Sequence, residues 1–129
     1  MSPSLLRCAL IIAAVKIRLR LRGVQGTLCW MRAGSGRAGL APDDIRATIA
    51  RTRDAVQSAA ALYPGRALCL EQSIALSYLL RRAGVAVELR FGVKPNPFEA
   101  HAWVEYAREP INDFPEHVKY FAPMPETSS

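Results

Sequence analysis

The chain is poor in the residues that hold metals or disulfides: 129 residues contain two histidines and three cysteines, Cys8, Cys29 and Cys69, with no Cys-x-x-Cys spacing. An odd, scattered set of thiols excludes a disulfide framework and a thiolate zinc site. His101 and His117 have no second pair beside them, so neither a metal nor a cofactor is expected. Reduced thiols point to the cytoplasm. Long apolar runs are also missing. Residues 5–15 supply roughly half of the ~20 residues a membrane span needs, and Arg7 interrupts them. Cations follow that run, whereas a secretory signal places them before it. Glycine and proline, 8 and 9 residues, are too few for a low-complexity chain, and half the residues are apolar, which calls for a folded core. The length gives one domain, without room for a separate recognition domain.

Acid is absent from the first 37 residues, which carry seven Lys or Arg, whereas residues 38–129 carry ten bases and eleven acids. The net charge of +6 therefore belongs to a basic amphipathic helical arm, residues 1–37, set before a domain of residues 38–129. Such an arm can lie on anionic lipid, dock an acidic partner, or pack on the core with its cations in water. Nucleic acid is set aside, because no aromatic interleaves Lys16 to Arg22 and no reader motif is present.

Beyond the Gly34-Ser35-Gly36 stretch with Gly39, Pro42-Asp43-Asp44 starts a helix. Ile45, Ile49, Val56, Ala60 and Tyr63 recur along it until Pro64-Gly65 stops the run. A second helix is predicted from about Leu68 to Arg82, capped by Gly84. Val85, Val87, Leu89, Phe91 and Val93 then alternate as a half-buried strand. Lys94-Pro95-Asn96-Pro97 breaks it, and strands are predicted at Ala100 to Tyr106, at Pro110 to Phe114 and, as a fourth, at Val118 to Phe121. The fold class is α+β, helices first and a small antiparallel sheet after.

Cys69 falls in the first turn of the second helix, where the helix dipole and unpaired backbone N–H groups favour a thiolate nucleophile. His101, on a strand that can pack against that helix end, is the candidate base. A hairpin centred on Ala107 would set Asp113 opposite His101, close enough for its carboxylate to accept the Nδ1–H. One inserted residue would bring Asn112 there instead. Pro110 lacks an N–H, so pairing is expected to begin beyond it. Trp103 shares the His101 face and either walls a cleft or fills the core. Glu105, of the same parity, either steers a basic partner or caps the sheet edge. The Cys69 backbone N–H would serve an oxyanion hole, with Gln57 as a further donor. Cys8 and Cys29 read as small apolar residues, and His117 as a surface residue.

The ordered set Cys69-Leu70-Glu71-Gln72-Ser73-Ile74-Ala75-Leu76, Leu79-Leu80-Arg81-Arg82-Ala83-Gly84-Val85, Phe91-Gly92-Val93 and Pro97-Phe98-Glu99-Ala100-His101-Ala102-Trp103-Val104-Glu105 resembles the transglutaminase-like leader peptidases of lasso peptide biosynthesis. The likeness spans about residues 45–122. It implies a papain-like cysteine protease fold with Cys69, His101 and Asp113 as nucleophile, base and orienting acid. The substrate implied is a ribosomally made precursor peptide, cut between leader and core. The partners implied are a separate leader-binding recognition-element protein and an asparagine-synthetase-like cyclase. Ala107-Arg108-Glu109-Pro110 departs from the Asp-Gly type of turn typical between the His and Asp strands. A thioester acyltransferase of the same fold and a non-catalytic scaffold recruiting precursor to the cyclase at a membrane surface are the rival readings.

Overall fold

Helix α3 (Cys69–Arg82) organises the molecule, and a computed structural model describes it within residues 4–33, 42–62, 69–95, 98–113 and 115–123. The Gly34–Gly39 linker, Tyr63, the Pro64-Gly65 stop, Leu68, the Asn96-Pro97 break and Phe114 lie outside the described residues. The predicted end of α3 holds. Gly84 takes φ 92°, Val85 N–H donates to Leu80 at 2.9 Å and Gly84 N–H to Arg81 at 3.1 Å. This paired closure satisfies the last carbonyls and uses glycine where a side chain would be strained.

Ile74, Ala75, Leu76, Leu79 and Leu80 make α3 apolar nearly all round, so it is buried between two further helices and a sheet. Full burial of each large side chain contributes about 1.5–3 kcal/mol. Helix α2 (Pro42–Leu62) turns Ile49, Thr52, Val56 and Ala59 inward at helical spacing and carries Asp43 and Asp44 in its first turn, against the positive end of its dipole. Helix α1 (Leu5–Ala33) breaks at Gly23, where φ is 71°. Arg18 lies 4.6 Å from the centroid of the Trp30 ring, a contact made across the bend, because a straight helix would set the two about 18 Å apart. Trp30 stacks in turn on Tyr78 of α3 at 4.4 Å. Cys8, Ile12, Val15, Leu28 and Met31 of α1 are buried in the same cluster as α3, so the basic segment's apolar face is part of the core.

The sheet has the order β3-β2-β1-β4, antiparallel throughout, with β1 (Glu88–Lys94), β2 (Glu99–Tyr106), β3 (Glu109–Pro110) and β4 (Ala122–Pro123). Leu89↔Val104 and Phe91↔Ala102 turn toward the helices, while Arg90↔Trp103 and Gly92↔His101 stand on the other face.

Four expectations fail in the last third of the chain. The hairpin turn holds two residues, Ala107 and Arg108, at φ 51° and 68°, so Glu105 pairs with Pro110 and Tyr106 with Glu109. That register is one residue away from a hairpin centred on Ala107. Pairing also ends at Pro110 instead of beginning beyond it, and residues 111–113 form bends where a strand to Phe114 was predicted. Finally, Val118 to Phe121 is not a strand: α4 (Pro115–Val118) precedes the short β4, which pairs with Gly92 and Val93 of β1.

Candidate functional site

Past Pro110 the ladder on the outer edge of β2 stops, yet Val104 and the Ala102 carbonyl remain paired. Ile111 N–H donates to Val104 at 2.9 Å, Asn112 Oδ1 accepts from Val104 N–H at 2.8 Å, and Ser73 Oγ donates to the Ala102 carbonyl at 3.2 Å. Asn112 Nδ2 donates to Ser73 Oγ at 3.0 Å, so one amide joins the helix, the strand and the bend. The first turns of α3 are thereby fastened along β2 beside His101. Cys69 is one helical turn before Ser73, about 6 Å along the axis and on the same side of the helix, and its side chain is exposed.

With Asn112 turned to the backbone, Asp113 turns to the imidazole: its Oδ2 is hydrogen-bonded to His101 Nε2. The two side chains are 17% and 11% exposed. The expected partners meet, but through a different ring nitrogen and for a different reason. The chain has left the ladder at Asp113, so strand alternation no longer decides which side chain faces the ring. An Nε2–H given to Asp113 fixes the tautomer in which Nδ1 is the proton acceptor.

Behind the ring, Trp103 lies 5.6 Å and Phe121 5.3 Å from the His101 centroid. Trp103 is only 5% exposed and donates through Nε1 to Glu105 Oε2 at 2.9 Å, so it is buried against His101 on the sheet face away from the helices. Glu105 also accepts from Arg90 Nε at 3.2 Å, within the sheet. Gly92, opposite His101, gives these rings their space. A Cβ there would stand 2.7 Å from Phe121 Cβ and 2.9 Å from Trp103 Cη2. A glycine inside a strand is a signal of such close approach.

Gln57 is exposed on α2 and lines a cleft of about 350 Å³ with Arg53, Asp54, Ile111, Asn112 and Asp113, on the Asp113 side of the site. Arg53 donates to the Ile111 carbonyl at 3.4 Å and holds the bend from that side. Glu71, two residues after Cys69, is buried and paired with Lys16 of α1 at 2.9 Å. Of the other thiols, Cys29 is exposed, whereas burial pushes the Cys8 thiol above its ordinary value, offset in part by Arg7. His117 lies in α4, and its side chain is outside the described ones. Ser73, Phe121 and Gly92 were not singled out from sequence. Only Gly92, by interrupting a strand, carried a local sign.

A helix presenting a cysteine at its start, fastened to an antiparallel strand bearing a histidine–aspartate pair, defines the class of protein. The chain belongs to the transglutaminase-like superfamily, whose family model matches residues 11–126. Among individual proteins it is similar to the microcin J25-processing protein McjB of Escherichia coli, at 40% identity over 47 residues. That match covers 36% of this chain and 23% of the relative, so the chain spans less than a quarter of the relative's length there. No solved structure matches.

Proposed function

We propose that this protein is a cysteine peptidase that removes the leader from a lasso peptide precursor and frees the amine of the core for macrolactam closure. The observation that carries the reading is the His101–Asp113 pair on a strand fastened to the helix that begins with Cys69. Likeness to a microcin-processing protein supplies the substrate class.

In this mechanism the Cys69 thiolate adds to the carbonyl that ends the leader. The negative oxygen takes the Cys69 backbone N–H, one of the helix-start donors without an intrahelical acceptor, with Gln57 as the second donor. His101, protonated at Nδ1 and steadied at Nε2 by Asp113, gives its proton to the departing amine as the C–N bond breaks. A leader thioester on Cys69 remains. Water attacks it while His101 takes the water's proton, and the collapse returns the thiolate and releases the leader acid. Trp103 and Phe121 hold the imidazole from behind and take no proton.

In this reading the peptidase works with a separate leader-binding protein, and the freed core passes to an asparagine-synthetase-like cyclase in the cytoplasm. Mass spectrometry of precursor incubated with the protein and its leader-binding partner tests the reading. Cys69→Ala should lower cleavage by about 10⁴-fold or more while still co-purifying with its partners. Undiminished cleavage by that variant overturns the peptidase, and a peptide–amine adduct in place of free leader moves the reaction to acyl transfer.

A further inference from the structure

Helix α1 is apolar on two opposite faces, and the fold covers one. Before the bend at Gly23, Cys8, Ile12 and Val15 are buried. At about 100° per residue, Leu6, Ile17, Leu10 and Leu21 form a band about 60° wide on the side diametrically opposite. Those four side chains are 71%, 56%, 61% and 76% exposed, in that order. The band is straight and about 22 Å long, since it ends before the bend. The same projection sets Arg7 and Arg18 along one border and Lys16 and Arg20 along the other, and α1 contains no acid. Arg7 and Arg20 are exposed, whereas Arg18 rests on Trp30 and Lys16 on Glu71.

We propose that this band lies on a membrane surface rich in anionic lipid, with the leucines and isoleucine at the acyl boundary and the bordering cations among the headgroup phosphates. The occupant follows from shape and charge. The band is a convex apolar ridge with no polar side chain inside it. Cations border both sides and α1 itself carries no acid; with Glu71 of α3 paired to Lys16, the exposed Arg7 and Arg20 leave the band's flanks positive, the complement of a negatively charged plane. Among the described residues no helix is long and apolar enough to cross a membrane, so the helix lies in the interface. The Lys16–Glu71 pair on one border joins this surface to the first turn of α3, so a bound membrane would hold the Cys69 helix at the bilayer. The proposal stands apart from the peptidase reading.

Sedimentation of the full chain with vesicles tests it. Binding is expected to vesicles of phosphatidylcholine with about one-third phosphatidylglycerol, at least roughly tenfold weaker to phosphatidylcholine alone, and weakened by salt. The triple variant Leu10→Gln, Ile17→Gln, Leu21→Gln changes exposed positions and should keep its circular-dichroism melt while losing about tenfold or more of the binding. Arg7→Gln with Arg20→Gln should lose most of the preference for anionic lipid. The proposal fails if the unaltered chain ignores anionic vesicles, or if the triple variant melts alike and binds as well. A dimer on gel filtration that the triple variant dissociates, with vesicles ignored, would make the band a self-association face and likewise overturn it. The lipid-charge and salt series on the unaltered chain stand whether or not the variants fold.

Discussion

The two halves of the candidate site are built in opposite ways. His101 is held from several sides, by Asp113 at Nε2, Trp103 and Phe121 behind, and Gly92 across the ladder. Cys69 is exposed at the tip of a helix, and its direction comes from the helix and from the Ser73 and Glu71 contacts farther along. An imidazole that must pass a proton between two partners needs a fixed tautomer, which packing and one carboxylate supply. A thiol needs access to a bulky peptide, and a helix start offers orientation without enclosure.

After the loss of Cys69 itself, breaking the His101–Asp113 half should have the largest effect. Asp113→Ala is expected to lower the turnover of precursor by about 10²–10⁴-fold while leaving the fold in place, as judged by circular dichroism. Asp113→Asn should recover the ring's orientation only in part, which a pH profile of turnover would reveal. Gly92→Ala comes next, because it forces a Cβ against Phe121 and Trp103. A loss of about 1–3 kcal/mol in chemical denaturation is expected, together with slower cleavage. An unchanged melting curve would show that the rings yield and that the tight packing behind His101 is dispensable.

Alkylation sharpens the contrast from the thiol side. Iodoacetamide should label the exposed Cys69 and Cys29 and spare Cys8, whose burial disfavours the reactive thiolate, as read by peptide mass mapping. His101→Ala should slow labelling at Cys69 and leave Cys29 unaffected if the two halves work as one. The smallest effect belongs to the hairpin. Arg108→Gly relieves a left-handed residue at φ 68° and should add up to about 1 kcal/mol in denaturant titration, with turnover unchanged.

That turn marks where sequence reasoning ran out. The end of α3 follows from Gly84, and β1 and β2 follow from alternation, because those signals are local, although β1 begins only at Glu88 and the alternating Val85 and Val87 are buried ahead of it. Neither Ala107 nor Arg108 announces a positive φ, so the register could not be read from residue types. Asp113 was reached through a ladder that does not extend that far. What turns it to His101 is Asn112, whose amide replaces a missing ladder bond at Val104 and donates to Ser73 of α3, a long-range role invisible in spacing. The basic first segment left three alternatives open from charge alone, and Cys8, Ile12 and Val15, lying between its cations, take the one in which the helix packs on the core around α3.

Side chains that finish a strand's hydrogen bonding also decide what can stick to it. From Ala102 to Val104 the border of β2 is closed by a hydroxyl, an amide and one further backbone N–H, all from the same molecule. Open borders of this kind recruit other extended chains and seed fibrillar assembly. Here the Ala102 carbonyl and both backbone groups of Val104 are already taken, so an arriving extended chain finds fewer open rungs along that stretch.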